Sequence, residues 1–179
     1  TDSMEFCNGQ DVLDKMTWTV FDNKERFDGV NTAAIRQHFR DWAETAVRHE
    51  QQEPGQVVEA LVSMGRSPRY RYCVQVDAEA LKSAVYDAPS PPDFDQDNQG
   101  WVKVIDKNWL PRNEDPRFAG RKPDPNVYEE IDGLTEHNVG WIKCPFPNVM
   151  TEYYMLFQDP NGYTISYRRP PAVIGYPWK

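Results

Sequence analysis

The chain has 179 residues (20.8 kDa), with 20 Lys+Arg against 28 Asp+Glu, a net charge of −8 and a pI near 4.9. A chain of this size buries roughly 70% of its unfolded surface in one core, and its 39% hydrophobic and 13% aromatic content argues against wholesale disorder. The acidic balance repels phosphate backbones and disfavours nucleic acid as a partner; no apolar run reaches the roughly 18–20 residues that span a bilayer; and the set Cys7, Cys73 and Cys144 is too sparse, and odd in number, for a disulfide framework.

Residues 1–15 read as a loosely ordered flank. Asp2, Glu5, Asp11 and Asp14 interrupt any signal-peptide core there. No asparagine begins a glycosylation acceptor, so the expected location is intracellular, in the cytoplasm. Residues 17–21 alternate, with Trp18 and Val20 on one side, which predicts a short strand. A charged turn follows at 24–29. The clearest element is a helix over 32–49, capped by Asn31 or Thr32. Ile35, Phe39, Trp42 and Ala46 form its apolar stripe, and Arg36, Arg40, Asp41, Glu44 and Arg48 fall outside it. A second short helix is predicted over 56–64, ended by Gly65.

Strict alternation over 69–76 predicts a strand, with Tyr70, Tyr72, Val74 and Val76 opposite Arg69, Arg71, Cys73 and Gln75. Asp77 caps a helix over 78–86 that carries Leu81 and Val85. Beyond residue 87 the composition shifts. All of the 15 prolines except Pro54 and Pro68 lie there, as do all of the 6 tryptophans except Trp18 and Trp42. In this part, 101–105 reads as a strand, 106–138 as a long ordered connection, 140–143 as a strand and 148–158 as a helix. A turn at 159–162 leads to an alternating strand over 163–168, which Pro170 and Pro171 stop. No internal repeat is apparent.

The fold these elements imply is α+β: a single domain over 1–179, in which a helix-and-strand part (16–87) meets a loop-rich, proline- and aromatic-rich part (88–179). A mixed or mostly antiparallel sheet of about four or five short strands packs against the long amphipathic helix.

Chemical motifs are few. Asp93, Asp95 and Asp97 alternate as calcium-loop ligands do, but Asn98 stands where the loop glycine belongs and Val104 where the last carboxylate belongs. His38 and His49 are too far apart on one helix, about 16 Å, to share a metal. No zinc spacing, serine elbow or phosphate loop occurs, and no cofactor is implied. Cys73 shares a predicted strand face with Arg69 and Arg71, which can favour its thiolate.

Two functional readings follow. The first is a non-catalytic interaction protein that presents Arg168, Arg169, Tyr176 and Trp178 to a protein partner. The second is a small enzyme or small-ligand protein, its pocket lined by Trp101, Trp109 and Trp141 with His137, Asp106 and Lys143 as polar neighbours, or its site built around Cys73. Nothing in the sequence sets an oligomeric state.

Overall fold

The computed structural model describes residues 18–51, 67–90, 93–122, 124–159 and 161–175. The flank at 1–15, the helix predicted over 56–64, and Tyr176 and Trp178 lie outside these residues. The fold is α+β. Among the described residues one antiparallel sheet of three strands is formed, β1 (Tyr72–Gln75), β2 (Trp101–Asp106) and β3 (Trp141–Pro145), in the order β1-β2-β3. That is fewer strands than the sequence predicts. No described helix is long and apolar enough to cross a membrane.

Two predicted strands are not strands. Residues 18–23 form no regular secondary structure, with Trp18 and Val20 at 55% and 72% exposure, so the alternation found no neighbouring strand. Residues 163–168 are mostly helix α6 (Gly162–Ser166). There Tyr163 and Tyr167, four apart, both face the core while Ile165 points to water. The i, i+4 spacing outweighs the i, i+2 alternation that the same residues show. The strand predicted over 69–76 begins only at Tyr72, because Pro68–Arg71 forms one helical turn, α3, behind Ser67. Proline suits the first turn of a helix, where its missing N–H costs nothing.

The charged turn predicted at 24–29 contains a short helix, α1 (Lys24–Phe27); the long helix α2 (Thr32–Gln51) follows, and the Asn31 carboxamide caps it by accepting the Ala34 N–H at 2.9 Å. Its buried stripe is rotated from the predicted one, to Arg36, Phe39, Ala43, Ala46 and Val47, with Ile35 and Trp42 at the margin. Arg36 is therefore a core residue. After β1, Asp77 caps α4 (Ala78–Lys82) through the Ala80 N–H at 3.0 Å, and a π-helical turn at Ser83–Asp87 continues it. The face this helix buries is Ala80 and Ser83, whereas Leu81 and Val85 are exposed. The Ser83 hydroxyl binds the backbone at Trp101, which fixes the helix against the start of β2.

The register places Tyr72, Val104, Ile142 and Cys144 on one sheet face. They pack against Tyr153, Phe157, Tyr163, Tyr167 and Ile174 to form the main core. Each such side chain contributes about 1.5–3 kcal/mol on full burial. The predicted 148–158 helix is helical in three short pieces, Phe146–Asn148, Val149–Tyr153 and α5 (Tyr154–Leu156). The opposite face carries Ile105 and Trp141, covered in part by Ile35 of α2, with Cys73, Ile131 and Leu134 beside them.

Candidate functional site

The second sheet face holds a constellation that the sequence contains twice. Gly100-Trp101-Val102-Lys103 opens β2, and Gly140-Trp141-Ile142-Lys143 opens β3. The strands are antiparallel, with Lys103 directly opposite Lys143, Trp141 opposite Ile105 and Trp101 opposite Pro145. Each lysine is therefore diagonal to the other strand's tryptophan, within reach of a long side chain. The ammonium groups take that geometry. Lys103 Nζ lies 4.6 Å from the Trp141 ring centroid, and Lys143 Nζ lies 3.6 Å from that of Trp101. On β1, Gln75 stands opposite Lys103. The result is a polar row, Gln75–Lys103–Lys143, running across all three strands between two indoles. The Gln75 carboxamide oxygen is buried without a hydrogen-bond partner.

Carboxylates at the start of α4 neutralise the row unequally. Asp77 Oδ2 is 2.6 Å from Lys103 Nζ, and Glu79 Oε2 is 3.8 Å from Lys143 Nζ. Both lysine side chains are only 13% exposed, whereas Glu79 is 75% exposed. Burial opposes the Asp77 carboxylate, but hydrogen bonds from Lys103 and the Ala80 amide outweigh it and hold the group below its usual range. For Lys143, burial and the like charge of Lys103 prevail over Glu79 and Asp77, and its pKa falls below the usual lysine range. Lys103, Trp141, Lys143 and Glu79 front a broad groove bounded by the inner side of α2 and by residues 128–132.

Trp101, Trp109 and Trp141 are 8%, 8% and 5% exposed, so they do not line an open cleft together. Of the three, Trp141 alone borders the groove. Trp109 lies elsewhere, beneath the Arg36 guanidinium at 4.6 Å. His137 is exposed at the groove's rim, between the Tyr128 and Tyr167 rings. Arg169 spends its donors on the carbonyls of Glu129, Leu134, Glu136 and His137, holding that loop, while Arg168 is exposed. Cys73 packs under Ile105 and Trp141, and burial pushes its thiol up to about 12 despite the nearby Arg36 charge. The two arginines that precede it are engaged elsewhere, Arg69 by Glu50 at 2.8 Å and Arg71 by Asp106 at 3.3 Å. A reactive thiolate at Cys73 is therefore disfavoured.

The three aspartates of the 93–97 loop point in different directions. Asp95 turns inward, and its two oxygens accept the Gln99 and Gly100 amides at 3.0 and 2.7 Å, while Asp93 and Asp97 face water. Among the described residues no group of three or more His, Cys, Asp or Glu is placed to hold a metal.

Lys103 and Gln75 escaped the sequence reading. The signal for Lys103 is the repeated Gly-Trp-apolar-Lys tetrapeptide, too short to register as a repeat of structural units. It gains meaning only when the two copies pair antiparallel. No protein-family model matches the chain, and no curated protein and no solved structure shows significant similarity to it.

Proposed function

We propose that the chain is a non-catalytic binding protein for a small organic anion with a flat apolar body, seated over Lys103 and Lys143. One observation supports this reading above the rest: two lysines lie side by side on a sheet face, each held against the other strand's indole. Like charges directly opposite destabilise a sheet, and ammonium groups kept mostly from water add a desolvation cost. With one close carboxylate and one distant one, the row makes a poor stabilising device. An anion between the lysines gives Lys143 the close counter-charge that Glu79, 3.8 Å away, does not, Gln75 adds a polar contact, and the apolar side of α2 that bounds the groove takes an aromatic or aliphatic body.

The second reading, a protein partner at Arg168, Arg169, Tyr176 and Trp178, has less in its favour, since the Arg169 donors are committed to loop carbonyls.

Titration with 3-phenylpropionate, followed by calorimetry and by tryptophan fluorescence, tests the proposal. The wild-type chain binds saturably, and more weakly as salt rises. The double variant Lys103→Met/Lys143→Met loses at least about tenfold in affinity, equivalent to ~1.4 kcal/mol. Equal binding by the double variant refutes the site.

A further inference from the structure

We infer that Lys143 forms a reversible imine with ligands of this class that carry a ketone next to the acid, the 2-oxo acids, while Lys103 holds their carboxylate. This rests on the binding reading above and adds a covalent step to it.

The two lysines are not equivalent. Lys103 is committed to Asp77 at 2.6 Å, whereas the partner of Lys143 is a largely exposed carboxylate 3.8 Å away. The Trp101 ring lies against the Lys143 ammonium and screens it from water. An amine that is desolvated and set beside a second cation is the arrangement that turns a lysine into a nucleophile toward carbonyls. The charged groups that face Lys143 are Lys103 from β2 and Asp77 and Glu79 from the start of α4. Burial together with the Lys103 charge prevails over the two carboxylates.

The spacing also fits. Side chains directly opposite on antiparallel strands start about 4.5–5.5 Å apart at Cβ. In a 2-oxo acid the ketone carbon is bonded directly to the carboxylate, so one cross-strand step separates the group bound by Lys103 from the carbon reached by Lys143.

The step balances without any further reactant. The Lys143 ammonium gives a proton to Glu79, which exchanges it with solvent. The freed Nζ lone pair bonds the ketone carbon as the carbonyl π pair moves onto oxygen. That oxygen then leaves as water, its two hydrogens supplied by the amine, and a C=N bond replaces C=O. Hydrolysis reverses each event, so the ligand is held but not consumed.

The test uses the full chain with phenylpyruvate and sodium cyanoborohydride, which reduces an imine to a stable secondary amine, followed by peptide mapping. Phenyllactate, which lacks the ketone, is titrated in parallel. The expected result is a dominant adduct on Lys143 that phenyllactate competes away. The adduct is lost in Lys143→Arg, or in Lys143→Met should arginine not be accommodated, and it persists on Lys143 in Lys82→Arg, a change at an exposed lysine outside the site. If phenyllactate binds but the adduct is spread over exposed lysines such as Lys82, or survives in Lys143→Arg, the imine is overturned and the binding site stands. If phenyllactate does not bind either, both readings fall.

Discussion

Arg36→Ala lowers the stability of the chain by about 3–5 kcal/mol, a large part of the 5–15 kcal/mol typical of a folded domain. Arg36 is only 6% exposed, and its donors serve three backbone carbonyls: Asp106 at 3.1 Å, Val139 at 3.3 Å and Gly140 at 3.2 Å. Its guanidinium also lies over Trp109. In this way α2 is latched to the end of β2 and the entrance of β3. Burial disfavours the cation and draws its pKa below the usual guanidinium range. The three charge-assisted bonds, each contributing about 1.5–3 kcal/mol, and the indole contact act against that cost. Alanine removes all of them and leaves a hole beside Trp109. Arg36→Met separates charge from volume. It fills the space but leaves the Val139 carbonyl facing an apolar side chain, at a cost of about 1–3 kcal/mol. Urea denaturation measures both variants. If the methionine variant equals wild type, desolvation cancels the bonds and the latch is not stabilising.

The next largest effect is expected at Gly140, the first residue of the second Gly-Trp-apolar-Lys copy. Its φ is +78°, a region that costs other L-residues roughly 1–2 kcal/mol. A Cβ there would sit 2.5 Å from Arg36 Nη2 and 2.6 Å from Trp109 Cε3, and would collide with Trp109 Cδ2. Overpacking of this kind adds about 1–3 kcal/mol. Gly140→Ala should therefore cost about 2–5 kcal/mol, a fall in Tm of several degrees at roughly 2–4 °C per kcal/mol. Gly100, its counterpart in the first copy, is the internal control. A Cβ there meets Ala88 Cβ at 3.1 Å and the Ala84 Cα at 3.3 Å, a tight fit without a severe overlap, so Gly100→Ala should cost well under half as much. Equal losses at the two glycines would mean that the Arg36–Trp109 stack yields easily and does not fix the start of β3.

These two sites also show what the sequence made legible. The α2 helix, the Asp77 cap, the strand at Trp101 and the α+β class follow from periodicity and capping, which are local. The burial of Arg36 does not. Its charge places it outside an apolar stripe, and only the carbonyls at the strand ends, supplied from residues 106, 139 and 140, make it a core residue. Tyr163 and Tyr167 carry both a strand and a helix period, and the packing of both rings beneath β2 and β3 decides for helix. The candidate site is hidden for the same reason. Lys103 and Lys143 are far apart in the chain, each is an ordinary residue in its own strand, and only the antiparallel register with one lysine opposite the other creates the row. The sequence suggests the three tryptophans as a pocket wall, yet Trp101 and Trp141 act chiefly as platforms beneath lysines, and Trp109 as the platform beneath Arg36.

The central claim is that the paired lysines are kept for a ligand and not for the fold, and thermal unfolding of Lys103→Met/Lys143→Met, without any ligand, tests it most directly. Methionine preserves packing on the indoles and removes two opposed, poorly hydrated charges. The carboxylates left behind remain served, Asp77 by the α4 amides and Glu79 by water. Replacing buried charge by apolar side chains of similar volume is often neutral or stabilising. The expected result is a Tm equal to wild type or higher, in a variant that no longer binds 3-phenylpropionate. A fall of more than about 6 °C, corresponding to roughly 2 kcal/mol or more, would contradict the account and make the lysine row a structural element.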